Sequence, residues 1–399
     1  MARGGTVPEA YDGHEQSFIE HELLKSYLQK LFFIIGSSAG SGGQIELCYV
    51  DCFAGPWGDE SEGMESTSIA ISLRTLDVVR QRLGINGVST RIRALYVEKD
   101  AHAHAHARLA AYLQNNTPRG IRAEPLQGDF VALRDEILRW VGKDAFTFFF
   151  IDPMGWKGIE IETLRPLLGR PRSEFLINFM YFNINRTMSI PEWQPDMAEL
   201  VGEPIDLEGM ASDQRERTIL KAYRSNLKRC VTATTPQFPP RSAHVRVLDR
   251  AHERPKYHLV YVTSHPRGVI EFMTISENVD LVQKQVRAEV KDVERERRTG
   301  MADLFPTPID PTAGHASADD VDRFWLDYIG ATVRRLDRKA FADILEDKDW
   351  FRGDLQASLV RLIAAGEVKN LDAAGRRPKK PLHFDADNGE RLQRIGSRA

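Results

Sequence analysis

The apolar positions of this chain fall into two periods. Residues 17–35 (SFIEHELLKSYLQKLFFII) carry them at helical spacing and run into the glycine-rich break SSAGSGG at 37–43, which predicts an opening helix and a turn. Beyond it the apolar runs are too short for helices: IELCYVDCF at 45–53, IRALYVEKD at 92–100, IRAEPLQGDF at 121–130, AFTFFFIDPMGW at 145–156 and EFLINFMYF at 174–182. Amphipathic stretches such as TSIAISLRTLDVVRQRL and DFVALRDEILRWV lie between them. Strands apolar on both faces and alternating with helices predict an α/β fold with a doubly wound parallel sheet.

Two further runs, AHVRVLDR at 243–250 and KYHLVYVTSH at 256–265, are joined only by AHERP, and so short a connection demands an antiparallel hairpin. Five alternating strands closed by a hairpin give the strand count of a Rossmann-like, class I methyltransferase sheet. The stretch 283–300 (QKQVRAEVKDVERERRTG) reads as a charged helix with a solvated face, and 304–320 (LFPTPIDPTAGHASADD) as a proline-rich linker. Residues 350–384 read as a turn, a helix over about 354–365 and two short strands flanking the basic tip AGRRPKK, the way a winged helix-turn-helix ends. The chain therefore divides into a methyltransferase-like domain at 1–282, a charged helix and linker at 283–318 and a winged-helix-like domain at 319–399. Within the first, 187–240 is an insertion near the active site. No internal repeat is found.

With 399 residues, 42% of them hydrophobic, the chain can bury a full core. Its formal net charge of −3 gives no global sign of nucleic-acid binding, so any basic footprint is local. The candidates are Arg376, Arg377, Lys379 and Lys380 at the tip, and Arg186, beside Asn183 and Asn185, after the fifth strand. Cys48, Cys52 and Cys230 show no CxxC spacing, which argues against a disulfide framework or a structural zinc site. His102, His104 and His106 alternate, and on a helix they would point to different sides, so no metal is expected. No run approaches the roughly 20 apolar residues of a membrane span. The first residues also lack a signal-peptide core, and the expectation is a soluble, cytoplasmic protein.

Open α/β sheets bind ligands beyond the carboxyl ends of their strands, and there the sequence places acids. In CYVDCFAGPWGDESEG the first strand ends in Asp51, followed by Phe53 and Gly55; the second ends in Glu98, the third in Asp129 beside Phe130, and the fourth in Asp152-Pro153. The first loop has neither GxGxxG spacing nor a phosphate-binding lysine. An acid closing the second strand suits both ribose hydroxyls of an adenosine-containing ligand, whether dinucleotide or S-adenosylmethionine. Asp51, Asp59 and Glu60 would repel a pyrophosphate, whereas S-adenosylmethionine carries no phosphate and brings an amino group and a sulfonium. Asp129 stands where it would accept from the adenine amino group, with Phe130 packing on the base. FIDPMGW is similar to the D/N-P-P-Y/F/W motif of methyltransferases acting on exocyclic amines of bases, in which the acid accepts from the amine and the aromatic stacks on an extruded base. Its DPxG form is closer to that of tRNA guanine-N2 dimethyltransferases. Asp152, Pro153 and Trp156 are thus the catalytic candidates. No Pro-Cys dipeptide is present, so methylation through cytosine carbon is not expected.

Six segments together, EHELLKSYLQKLFF, YVDCFAGPWG, LYVEKD, FFFIDPMGWKG, INFMYFNINR and YHLVYVTSHPRG, spread over most of 18–300, resemble the three-Cys-motif partner protein (TcmP) family. The resemblance implies a methyltransferase-like fold and a partner that looks like a radical S-adenosylmethionine protein, which carries the three cysteines of the family's name. It puts the cofactor loop on Asp51, Phe53, Ala54 and Gly55, the ribose acid on Glu98, and the active-site motif on Asp152, Pro153, Gly155 and Trp156. Trp57 stands where the family loop commonly has glycine, narrowing the methionine end of the cofactor site, and Met154 where an aromatic is frequent. The resulting expectation is an S-adenosylmethionine-dependent methyltransferase acting on an exocyclic amine of a base in DNA or RNA beside that partner. The alternatives are a non-catalytic nucleic-acid-binding adaptor with the same fold and a small-molecule methyltransferase whose C-terminal domain dimerises.

Overall fold

The computed structural model describes residues 7–8, 11, 13–55, 66–99, 104–233, 235, 237–250, 252–299, 307–375, 377–385 and 388–395. Seven strands make one sheet: β1 (Gln44–Asp51), β2 (Ser89–Glu98), β3 (Ile121–Gln127), β4 (Phe146–Ile151), β5 (Ser173–Phe179), β6 (Arg241–Leu248) and β7 (Pro255–Thr263). Their order is β3-β2-β1-β4-β5-β7-β6, with β1 to β5 parallel and β7 antiparallel to both neighbours. A mostly parallel seven-stranded sheet in this order is consistent with a Rossmann-like methyltransferase fold. The order reverses between β1 and β4, which opens a crevice at their carboxyl ends.

The central strands are buried on both faces because their runs are apolar at every position, as in FTFFFI of β4. Side chains then separate by parity. Leu47, Tyr49, Tyr96, Phe148 and Phe150 pack toward α1 (Glu15–Ser37) and α2 (Ser68–Ile85). Cys48, Val50, Val97, Phe149 and Ile151 pack toward α4 (Phe130–Val141) and α5 (Ile161–Leu168), on the other side of α3 (His104–Asn116) in the chain. All three cysteines are free and buried. Segment 187–240 folds into helices: after α6 (Tyr181–Thr187) come a short 3₁₀ turn at Pro191–Trp193, α7 (Gln194–Val201) and α8 (Ser212–Cys230). Helix α8 lies along α5, where the Tyr223 hydroxyl donates to the Ile159 carbonyl at 2.8 Å.

Residues 283–299 are not a separate helix. They are the second half of α9 (Pro266–Thr299), which runs 34 residues and buries Val279, Gln283, Val286, Arg287 and Val290. Polar side chains at these positions are engaged within the chain: Gln283 accepts from the Leu248 N–H at 2.8 Å and Arg287 donates to Glu253 at 3.0 Å.

The C-terminal part contains α10 (Ala318–Ile329), β8 (Arg334–Leu336), α11 (Arg338–Lys348), α12 (Arg352–Ala364), β9 (Val368–Asn370) and β10 (Glu390–Arg394). Its strands form an antiparallel sheet, β8-β10-β9. The second strand expected just after the basic tip lies instead at 390–394. Residues 381–384 enter no ladder because Gln356 occupies both backbone groups of Leu382, donating to its carbonyl at 3.0 Å and accepting its N–H at 3.2 Å. Trp325 is fully buried beneath this sheet and donates its indole N–H to Leu355 at 3.0 Å. The core continues from here into α9 and α1. At the seam Arg224 meets Asp349 at 2.7 Å, Lys228 meets Glu346 at 2.6 Å, and Arg241 pairs with Asp343 and with Glu346. Among the described residues no helix is long and apolar enough to cross a membrane, and no cluster of His, Cys, Asp and Glu could hold a metal.

Candidate cofactor and active site

The loop after β1 is pinned before it reaches the crevice. Cys52 donates its N–H to the Phe150 carbonyl at 2.9 Å and Ala54 to that of Val97 at 2.8 Å, so the turn is tied to β4 and β2 at once. Asp51 is buried and points inward, accepting from Ser68 Oγ at 2.7 Å, the Phe53 N–H at 3.2 Å and the Tyr49 hydroxyl at 3.4 Å. Burial lifts its carboxyl to about 7 against these donors. Gly55 leaves the Glu98 carboxylate its place, since a Cβ there would overlap it. Glu98 itself is buried at the end of β2, and its carbonyl accepts the Gly128 N–H at 2.8 Å.

Asp129 caps α4. Its Oδ1 accepts from the N–H groups of Val131 at 2.9 Å and Ala132 at 3.4 Å, while Oδ2 pairs with Lys99 at 2.7 Å, and this pairing together with the cap holds the carboxyl below its ordinary range. Its oxygens are therefore committed within the chain. Phe130 is only 2% exposed, with its ring 5.1 Å from that of Phe53, so it forms the crevice's inner wall.

At the end of β4, Asp152 accepts the Asn178 amide at 2.7 Å and shares a hydrogen bond with Glu20, which enters from α1. Burial lifts Asp152 to about 6 and drives Glu20 well above the usual carboxyl range, with the Asp152 charge adding to the push. Two buried carboxyls so close resist being charged together, which raises both above their ordinary range. Tyr257 stands beside Glu20 on the hairpin side, its hydroxyl donating to the Gln16 carbonyl at 2.9 Å. Downstream, the indole N–H of Trp156 is buried without a partner among the described residues, and its ring meets Trp193 edge to face at 5.7 Å. Lys157 reaches Asp196 at 3.1 Å, so the segment 187–240 borders this loop. Met154 stands 85% exposed on the lip.

Phe53, Gly55, Glu98, Asp129, Phe130, Asp152, Pro153 and Trp156 line one cavity of about 480 Å³. Asp51, turned to Ser68 and Tyr49, and Ala54 do not line it. Arg186 lies apart, exposed on α6, with its guanidinium over Phe182 at 5.5 Å. Arg377 is tied to Glu390 at 2.6 Å, whereas Lys379 and Lys380 are exposed. Trp57, Asp59, Glu60, His102 and Arg376 lie outside the described residues. Sequence reading missed Glu20, Asn178, Ser68 and Tyr257. Two had a signal: Glu20 occupies the apolar stripe that continues through Leu23, Leu24, Tyr27 and Leu28, and Asn178 interrupts the apolar run of β5.

No protein-family model matches this chain, and no curated protein matches it either. Among solved structures it is similar to a Legionella pneumophila protein of the DUF519 family, 10% identical with a TM-score of 0.31 over 61% of this chain and 85% of that one. It is also similar to a loganic acid methyltransferase with S-adenosylhomocysteine, 10% identical with a TM-score of 0.27 over 99% of each chain. The fold assignment rests on strand order and direction.

Proposed function

We propose that the chain is an S-adenosylmethionine-dependent methyltransferase acting on an exocyclic amine of a nucleic-acid base. In this reading it is a TcmP-like protein that works beside a radical-S-adenosylmethionine-like partner, and its C-terminal helices and strands form a winged-helix-type module. The observation that carries the proposal is the convergence of the β1, β2 and β4 ends and the loop after β3 on one cavity, with Glu98 against Gly55 and Asp152-Pro153 lining the same space. The residues fit the cofactor: a glycine leaves room beside the Glu98 carboxylate, an acid closes β2, and two buried polar atoms, Trp156 Nε1 and Asn178 Oδ1, lack hydrogen-bond partners among the described residues.

When bound, S-adenosylmethionine would supply an electrophilic methyl group. Glu98 would hold ribose hydroxyls, and Phe53 and Phe130 would wall the adenosine. Asp152, ionised above about pH 6, would accept a hydrogen bond from the substrate amine and orient its lone pair. Asn178, which donates to Asp152 at 2.7 Å, would hold the carboxylate's rotamer. Trp156 would stack on the base, and Trp193 behind it would exclude water.

The test is calorimetric titration of the protein with S-adenosylmethionine and S-adenosylhomocysteine beside Glu98→Ala, followed by transfer of labelled methyl to DNA and RNA. Binding abolished by Glu98→Ala, and transfer lost in Asp152→Asn with binding retained, are expected. Absence of binding by the unaltered chain would end the catalytic reading in favour of a non-catalytic adaptor.

A further inference from the structure

We infer that the outer face of the C-terminal sheet β8-β10-β9, and not helix α12, meets the phosphate backbone of a nucleic acid, an inference that rests on the nucleic-acid reading above. The C-terminal module is electrically polarised. Its acids on and just after α11, Asp343, Glu346 and Asp349, turn toward Arg241, Lys228 and Arg224 of the large sheet's side. The opposite face keeps cations. In the ladder, exposed Arg335 of β8 stands directly opposite exposed Arg391 of β10, and exposed Lys369 of β9 opposite Gln393. Like charges directly across an antiparallel pair destabilise it, so this face costs stability and gains attraction for an anion. Lys379 and Lys380 extend the cations along the adjoining loop. Asp372 pairs with Arg391 at 2.6 Å and also attracts Arg335, whose guanidinium donates to the Asn388 carbonyl at 2.7 Å, whereas Lys369, Lys379 and Lys380 have no carboxylate in ion-pair reach among the described residues.

Helix α12 offers the contrary case. Its exposed positions are Ala357, Arg361 and Ala364, and Arg361 is held by Asp322 at 2.6 Å. Its first turn is held as well, with the Gly353 N–H on Glu277 at 3.1 Å and Arg352 over Phe384 at 5.0 Å. A helix that reads the major groove needs polar side chains long enough to reach base edges, and alanines have none. The contact is accordingly electrostatic and indifferent to sequence.

Fluorescence anisotropy of the full chain with labelled random-sequence duplex DNA and single-stranded RNA, across a salt series and without cofactor, tests this. The Arg335→Gln/Lys369→Gln pair should weaken binding about tenfold and lower the salt slope by about 2, as should Lys379→Gln/Lys380→Gln, while Arg361→Gln leaves both unchanged. All of these side chains are exposed, and unchanged thermal melts would exclude unfolding. Loss in Arg361→Gln with the sheet variants unaffected would overturn the inference in favour of the helix. Displacement by polyglutamate as effective as by DNA would overturn it in favour of an acidic protein. No binding to either nucleic acid would overturn it too, and the separate cofactor titration shows whether the methyltransferase reading falls with it.

Discussion

The two clusters of carboxylates in this molecule are built on opposite terms. At the carboxyl edge of the large sheet, Glu20, Asp51 and Asp152 face hydroxyls, amides and each other, with no cation paired to them among the described residues. At the seam with the C-terminal module, Asp343, Glu346 and Asp349 each face an arginine or a lysine. Burial alone wins at the edge, where Asp51 rises to about 7 and Asp152 to about 6. At the seam, against the upward push of burial, His244 and Arg224 pull Asp349 down to about 2. Paired charge joins elements, whereas a buried carboxyl without a cation costs stability when it ionises.

The largest effect should come from breaking the seam. Arg241 is 1% exposed and spans Asp343 and Glu346, so Arg241→Ala leaves acids facing a cavity and should cost about 3–5 kcal/mol in denaturant unfolding. Affinity for S-adenosylmethionine should stay unchanged. A loss under about 1 kcal/mol would put the seam in the class of surface pairs and erase the contrast.

The edge predicts the opposite sign. A carboxyl raised from 3.8 to about 7 by folding contributes its stability while protonated; that contribution declines as pH climbs from about 4 to about 7 and is gone above. Glu174, buried among Tyr27, Tyr261 and Thr263 and also lifted to about 7, adds the same sign. Asp349 runs the other way, its contribution present above about 4 and lost as pH falls through 2. His21 and His258, lowered to about 4 by burial, likewise oppose the raised acids by losing stability as pH falls below about 6.5, but Asp51, Asp152, Glu174 and Glu20 outnumber them, so the chain should unfold with more difficulty at pH 5 than at pH 8. Asp51→Asn should flatten that slope and raise stability at pH 8, by no more than about 4 kcal/mol. Destabilisation at pH 8 instead would make Asp51 a structural anchor like those of the seam.

The contrast also explains what the sequence could say. Strands β1 to β5 and the β6-β7 hairpin are legible because period and connection length are local, and Glu98 and Asp152 because they close apolar runs. Glu20 and Tyr257 are some 130 and 100 residues from Asp152, and only the sheet order brings them together. The seam is illegible for the same reason: nothing in the acids of α11 announces that their partners lie on α8 and β6. The displaced strand β10 adds a local cause, since Gln356 takes the backbone groups of Leu382 that a ladder would have used.

The smallest effect sits where the two kinds of carboxylate meet. Asp129 lines the cavity, yet it has a cation, Lys99, and two backbone donors at the start of α4. If the cap is its whole role, Asp129→Ala costs about 1 kcal/mol of stability and Asp129→Asn a few tenths, because asparagine keeps the capping oxygen. Affinity for S-adenosylmethionine then changes less than about twofold in the asparagine variant, under about 0.4 kcal/mol. A tenfold loss of affinity at unchanged stability would mean that the Oδ2 now turned to Lys99 serves the ligand when it arrives. Asp129 would then belong with Glu98 and Asp152, and the presence of a cation beside an acid would no longer separate joint from site.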